Sequence, residues 1–272
     1  MKRILTCSAL LLVAAAPVIS RAQMGPGGAQ DPPKVLIIGR EEIKPGMGGA
    51  HTEWEKGWPA AYAKANYPTP YVAMTAMSGN NEAWYLVGYP SWDAMEKDNE
   101  MSDANTALTA ELRKLSAGDG QYLAGGRSVI AEYVPEMSYR AKVDLSKMRY
   151  MDVSTFRVRP GHDADFGKTA AMFVDAYTKA NIDAPWAVYR VTTGMPGPTF
   201  LVMWPMRSLS MLDRAGADYK AWSEKMGPDG MAAMNKMTSD GIAVSDDQIF
   251  SFSPAMSYVS KAFKAGDPAF WK

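Results

Sequence analysis

The tetrapeptide IKPG at residues 43–46 reappears as VRPG at residues 158–161, an offset of 115 positions (158 − 43). Three more pairs keep this offset and the same order: YAKAN at 62–66 with YTKAN at 177–181, PY at 70–71 with PW at 185–186, and LVGYP at 86–90 with LVMWP at 201–205. The closing pentapeptides, PEMSY at 135–139 and PAMSY at 254–258, lie 119 apart (254 − 135), which predicts about four extra residues in the last helical region of the second copy. Matches in one register indicate a tandem duplication.

Each copy has the periodicity of a mixed α/β unit. In the first copy Val35–Ile43 is rich in β-branched residues, and apolar residues spaced by three and four between positions 47 and 66 predict an amphipathic helix with a kink at Pro59. Residues 71–77 and 83–89 flank the turn SGNN and predict a hairpin. Ser91 is placed to cap a broken helical stretch that ends near residue 116, and residues 128–134 predict a last strand.

The order β-α-β-β-α-β is that of a ferredoxin-like unit, whose sheet has helices on one face and leaves the other uncovered. A second copy within the chain supplies the cover. We therefore predict an α+β fold in which two tandem ferredoxin-like βαββαβ repeats pack sheet to sheet as an intramolecular pseudo-dimeric α+β barrel.

The predicted organisation has six segments. Residues 1–22 read as a signal peptide, because Lys2 and Arg3 precede an apolar run that is too short to span a bilayer and small residues follow at the cleavage position. After it come a flexible Gly/Pro-rich leader (23–34), repeat 1 (35–140), a linker (141–149), repeat 2 (150–260) and a C-terminal tail (261–272). The signal predicts an exported protein, periplasmic or secreted, and its cleavage would remove Cys7, the one cysteine.

Charge and composition restrict the partners. Removing the three basic residues of the signal from 29 leaves 26 against 29 acidic residues, a net charge near −3 that does not favour nucleic acid or anionic lipid. The prediction is no nucleic acid, no membrane anchor, and a monomer or a dimer of pseudo-dimers. The abundant aromatic residues suit a small hydrophobic or aromatic molecule.

The paired Pro-Gly junctions IKPG and VRPG and the strand EAWYLVGYP resemble those of the dimeric α+β barrel superfamily, and within it the NIPSNAP-like and antibiotic-biosynthesis-monooxygenase-like proteins. The resemblance covers both repeats and rests on structural turns. It implies a fold that serves cofactor-free monooxygenases, haem-binding proteins and isomerases. It carries over no catalytic residue.

His51 and Glu55 are the candidate catalytic residues. His51 lies on the predicted sheet-facing stripe, and adding 115 gives Phe166 as its counterpart, while Glu55 corresponds to Ala170. His51 is therefore either a core residue with one hydrogen bond or part of a polar pocket that repeat 1 has and repeat 2 lacks. Glu55, one helical turn away, would orient a base or form a solvated pair with it.

The predicted function is binding of an unknown small molecule in an aromatic pocket of repeat 1, lined by Arg40, Trp54, Trp58, Tyr62 and Trp84. One alternative is a cofactor-independent monooxygenase with His51 as its base, and a second is a haem-binding protein with His51 as axial ligand. No metal site is predicted, because a site needs three or four donors and no second sheet-facing histidine is present. No cofactor is predicted beyond the haem alternative.

Overall fold

The computed structural model describes residues 27–272. Eight antiparallel strands close into a barrel in the order β1-β3-β2-β8-β5-β7-β6-β4. Repeat 1 supplies β1–β4 and repeat 2 supplies β5–β8, and the two halves join where β2 pairs with β8 and β4 pairs with β6. Closure leaves these eight strands, all within residues 27–272, without the free sheet edges that a single four-stranded repeat would have exposed. The predicted pseudo-dimeric α+β barrel is confirmed. The signal peptide and residues 23–26 of the leader lie outside the described residues.

In repeat 1 the strands are β1 (Val35–Ile43), β2 (Val72–Ala76), β3 (Glu82–Tyr89) and β4 (Leu123–Tyr133), and the helices are α1 (Gly48–Glu55), α2 (Gly57–Lys64), α3 (Trp92–Ala104) and α4 (Thr106–Asp119). The first helical segment breaks at Lys56, earlier than the kink predicted at Pro59. Pro59 lies in the first turn of α2, where a missing backbone N–H leaves no helical hydrogen bond unmade. Ser91 caps α3 as predicted, because its side chain accepts a hydrogen bond from the Ala94 backbone N–H.

Repeat 2 comprises β5 (Tyr150–Val158), α5 (Asp163–Ala180), β6 (Ala187–Thr193), β7 (Thr199–Met206), α6 (Ala215–Lys236) and β8 (Ile242–Phe252). A short helix α7 (Lys261–Lys264) follows. In this repeat the first helix is continuous over 18 residues, so the two repeats differ in the element that carries His51 in repeat 1.

The extra residues of repeat 2 are not all where the sequence predicted them. Ile38 pairs with Leu86, but its counterpart Val153 pairs with Met203, two residues beyond the Leu201 of the LVMWP match. The β6–β7 connection is therefore two residues longer than the β2–β3 turn, and the other two extra residues fall between β7 and β8. Placing all four in the last helical region was wrong. The match of LVGYP with LVMWP at an offset of 115 concealed the longer Gly- and Pro-containing turn before it.

The barrel interior is the main hydrophobic core. Alternate residues of every strand point into it, and Trp271 of the C-terminal tail packs there at 1 % exposure beside Phe263 of α7. At the N-terminal side Gln30 pairs with Val143, and the Tyr189 hydroxyl donates to the Pro33 carbonyl. Residues 27–34 therefore lie against the barrel, whereas the sequence read them as flexible. Within residues 27–272, no helix combines the length and the apolarity that a membrane crossing requires.

Candidate functional site

The polar residues of repeat 1 meet between the outer face of the barrel and its helices. His51, on α1, is fully buried, and its Nε2 lies 3.0 Å from Oε2 of Glu41 and 3.8 Å from Oδ1 of Asp119. Glu41 projects from β1 on the face opposite Ile38 and Arg40, which point into the barrel. Asp119 is the last residue of α4. One imidazole and two carboxylates from three separate elements thus converge.

Glu55 completes the group from the next turn of α1 at 2 % exposure. One ligand-capable atom from each of Glu41, His51, Glu55 and Asp119 lies within 4.8 Å of the others, and we call these four residues the carboxylate–histidine cluster. Three buried atoms of the cluster have no hydrogen-bond partner among residues 27–272, namely Glu55 Oε1, Asp119 Oδ1 and His51 Nδ1.

The electrostatics follow from placing three carboxyl groups together, two of them buried (Glu55 and Asp119) and the third, Glu41, partly buried. Burial raises the pKa of Glu55 to about 7, and the charges of Glu41 and Asp119 act in the same direction. Burial and the charge of Glu41 likewise raise the pKa of Asp119 to about 6. Burial alone would lower the pKa of His51, but its hydrogen bond to Glu41 and the neighbouring carboxylates outweigh that effect and raise it. The cluster therefore attracts positive charge, as protons or as a cation.

A close approach of two helices positions Asp119. The Trp54 indole N–H donates to the Leu115 carbonyl over 2.9 Å, which ties α1 to α4. Gly118 lies directly against the Trp54 ring, with no room for a Cβ atom. Glycine at this position lets α4 come near enough for Asp119 to face His51.

Three aromatic residues predicted to line a pocket in repeat 1 lie in packed surroundings, and the first of them, Trp54, contacts Tyr122 and Gly118. Trp58 contacts the small cluster around Ile43 and Met256, and Tyr62 lies among three other tyrosine rings, with its centroid 5.6 Å from those of both Tyr71 and Tyr258. The Tyr62 and Trp58 side chains thus contribute to the packing of helix on sheet.

Arg40 and Trp84 lie apart from this group, inside the barrel. The Arg40 guanidinium donates to both carboxylate oxygens of Glu82 at 2.7 and 2.9 Å and lies 4.4 Å from the centre of the Trp84 ring. Both side chains are buried, so Arg40 and Glu82 form an ion pair in the barrel interior. The structure therefore does not bring Arg40 and Trp84 together with His51.

Sequence reasoning missed Glu41 and Asp119. The 115-residue offset that pairs His51 with Phe166 also pairs Glu41 with Phe156. This replacement of an aromatic residue by a charged one could have identified Glu41 from the sequence. Asp119 was hidden because the extra residues of repeat 2 displace its counterpart. Strand β8 pairs with β5 in the same register as β4 pairs with β1, and equivalent positions of β4 and β8 are 119 residues apart. Adding 119 to position 119 gives Thr238 as the counterpart of Asp119.

In repeat 2 the same place in the fold holds an apolar cavity of about 410 Å³. Its lining includes Phe156, Phe166, Ala170 and Thr238, the counterparts of Glu41, His51, Glu55 and Asp119. Much of the remaining wall consists of apolar side chains, those of Phe173, Trp186, Val188, Val202 and Met234. The duplicated location is thus polar and donor-rich in one repeat and apolar and open in the other.

The haem alternative requires a ligand nitrogen that faces a porphyrin. His51 Nε2 instead faces Glu41 and Asp119, whose carboxylates stand where the macrocycle would lie. No histidine is among the residues that line the repeat-2 cavity. The surroundings of His51 do not fit a haem, and haem binding elsewhere stays a prediction from the sequence resemblance.

Comparison with known proteins identifies the fold. No protein-family model and no curated protein sequence matches the chain. Among solved structures it is similar to a putative monooxygenase from Fusobacterium nucleatum, at 11 % identity and a TM-score of 0.54, over 82 % of this chain and 93 % of that one. It is also similar to an anthrone oxidase-like protein, at 11 % identity and a TM-score of 0.51, over 84 % and 94 %. A putative chlorite dismutase aligns at 11 % identity with a TM-score of 0.47, over 82 % and 96 %. At 11 % identity the likeness to the first two proteins is one of fold alone, an α+β barrel.

Proposed function

We propose that the protein is an exported binding protein for a small, uncharged, hydrophobic or aromatic molecule, and that the ligand occupies the cavity of repeat 2. The observation that carries this is the cavity of about 410 Å³ between α5, the end of α6 and the outer face of the sheet. That volume is in the range of small-molecule sites, which are mostly apolar and have few polar groups.

The lining defines the ligand class. Its side chains carry no formal charge, so a charged ligand would lose its hydration without compensation. The Thr169 and Thr238 hydroxyls already donate to helix carbonyls, which leaves them as hydrogen-bond acceptors. An aromatic or acyl compound with at most a hydroxyl group suits this wall. The site thus lies in repeat 2, whereas the sequence placed it in repeat 1.

The test is saturable binding of the uncharged fluorescent probe N-phenyl-1-naphthylamine. Ala170→Phe would place a ring inside the cavity, and we expect at least a tenfold loss of affinity, about 1.4 kcal/mol. Ala171→Phe adds the same ring at the next, exposed position of α5 and should leave binding unchanged. Non-saturable binding, or equal affinity in both variants, would refute the assignment.

Export has a separate test. The apolar N-terminal run supports a cleaved signal, and the protein recovered from the medium or periplasm should have the mass of a chain that begins at Gln23. Recovery of the intact chain inside the cell would contradict it.

The monooxygenase alternative requires a base beside the substrate. The 3.0 Å contact between His51 and Glu41 is suitable for a general base, but His51 belongs to repeat 1 and the cavity belongs to repeat 2. This separation favours binding over proton abstraction. Oxygen uptake with a quinol or anthrone-like substrate that is lost in His51→Ala would reverse the preference.

A further inference from the structure

We propose that the carboxylate–histidine cluster binds a divalent transition-metal ion. The cluster offers one imidazole nitrogen and three carboxylates, a donor set that suits Mn²⁺, Fe²⁺ or Zn²⁺. This site is separate from the cavity of repeat 2, so either proposal can fail without the other.

The geometry is near that of a coordination shell. Metal–ligand bonds of about 2.0–2.2 Å place neighbouring donors roughly 3–3.6 Å apart around a shared ion. The distances from His51 Nε2 to Glu41 and Asp119 are 3.0 and 3.8 Å, and all four residues have a donor atom within 4.8 Å of the others. Side-chain adjustments of about an ångström would complete the shell.

An independent observation concerns unmet hydrogen-bonding capacity. Glu55 and Asp119 are 2 % and 3 % exposed, and each keeps a buried carboxylate oxygen that accepts no hydrogen bond from residues 27–272. Such an oxygen costs about 1–3 kcal/mol, and more when charged, so native proteins rarely leave it unpaired. Across residues 27–272, no lysine or arginine forms an ion pair with any member of the cluster. A bound cation would coordinate both oxygens and offset the repulsion among the carboxylates.

The elements around the cluster hold it rigidly. The ligands come from β1, α1 and α4, and the Trp54–Leu115 hydrogen bond and the close contact at Gly118 fix α4 against α1. The Tyr85 hydroxyl lies beside Glu41 and Glu55, where it can orient a ligand carboxylate. With the backbone of these elements held in place, only side-chain adjustments are needed when an ion binds.

Repeat 2 supplies an internal comparison. All four donor positions are occupied there by residues that cannot replace the set, namely Phe156, Phe166, Ala170 and Thr238. These side chains form an apolar wall at the same location. The fold itself therefore does not require charge at this place, and the four donors of repeat 1 need a reason beyond packing.

The experiment uses the full mature chain, stripped with EDTA and titrated calorimetrically with Mn²⁺ and Zn²⁺. We expect one ion per chain and a rise in melting temperature on binding. Glu55→Gln and Asp119→Asn should each reduce affinity by at least a hundredfold. His162→Ala, which removes the other histidine, half-exposed near Asp165 at 3.5 Å, should have no effect.

The melting temperature of Glu55→Gln distinguishes a metal site from a cluster with a purely structural role, which the substitution would destabilise. In the stripped protein Glu55→Gln should not lower the melting temperature, because it removes a buried charge, while the increase on adding metal should disappear. If neither Mn²⁺ nor Zn²⁺ binds at a tenfold molar excess over the protein, the proposal is overturned. Binding that persists in both carboxamide variants would place the ion elsewhere and overturn it equally.

Discussion

Replacing Glu55 with glutamine in the metal-free protein should stabilise the fold at high pH and change little at low pH. The side chain is 2 % exposed, and burial raises its pKa from an ordinary 4.5 to about 7. Because the folded pKa is higher than the unfolded one, the folded state holds the proton more tightly. Below pH 4.5 both states are protonated and ionisation costs the fold nothing. Between pH 4.5 and 7 the unfolded chain ionises first, and stability falls.

The size of the effect follows from that interval. From 4.5 to about 7, at about 1.4 kcal/mol for each unit of pKa, the wild-type protein loses on the order of 3 kcal/mol. Glutamine has the same shape and does not ionise, so the variant avoids this loss. We expect it to match the wild type at pH 4.5 and to exceed it by up to about 3 kcal/mol at pH 8.

Urea unfolding followed by tryptophan fluorescence, with EDTA present, measures this difference at each pH. Glu53→Gln is the matched control, because Glu53 lies on the same helix with its side chain 72 % exposed and paired with Lys56. Its effect should stay within about 0.5 kcal/mol at both pH values. A Glu55→Gln difference independent of pH, or a destabilised variant at pH 8, would refute the electrostatic account of the cluster.

Three further substitutions test the surrounding structure by the same unfolding assay. Arg40→Met removes the cation that pairs with Glu82 inside the barrel and leaves only the Trp84 indole N–H beside the carboxylate. It should cost about 3–5 kcal/mol, and a cost below 1 kcal/mol would contradict the buried ion pair. Gly118→Ala places a methyl group against the Trp54 ring, so we expect about 1–3 kcal/mol of destabilisation and weaker metal binding, and a neutral result would contradict the close helix approach. Trp271→Ala should cost about 3–5 kcal/mol because the indole closes the barrel core, whereas a disordered tail would make it silent.

The fold could be predicted from the sequence because duplication doubles every signal. A single IKPG turn or a single LVGYP strand is weak evidence, but two copies in one register determine both the boundaries and the need for a sheet-to-sheet partner. The same matching had a limit. LVMWP matches LVGYP in sequence, but its pairing with β5 is shifted by two positions relative to the pairing of LVGYP with β1. The register depends on the length of the β6–β7 turn, which the sequence match did not reveal.

The candidate site could be predicted in part. His51 and Glu55 were found because they share one helix, where spacing along the chain determines proximity. Glu41 and Asp119 come from a strand and from the far end of another helix, and their convergence depends on how α4 packs on α1 through Gly118. Contacts of that kind depend on tertiary packing, which periodicity does not specify. The absence of a second histidine therefore argued against metal only as long as the two distant carboxylates were unknown.

Duplication also explains how the two halves can differ so strongly at one location. In a symmetric dimer of identical chains, a buried charge introduced at one site appears at both, and its cost is doubled. Within one chain each repeat can change alone. Repeat 1 therefore bears two buried carboxyl groups and a third that is partly buried, while repeat 2 has Phe156, Phe166 and Ala170 against an open cavity. Domains have net stabilities of only about 5–15 kcal/mol, and the ionised Glu55 alone opposes folding by on the order of 3 kcal/mol. A charge cluster that costs this much is most stable when a cation occupies it. The shared barrel core, which both repeats build, supplies the stability that lets the cluster persist before the ion binds.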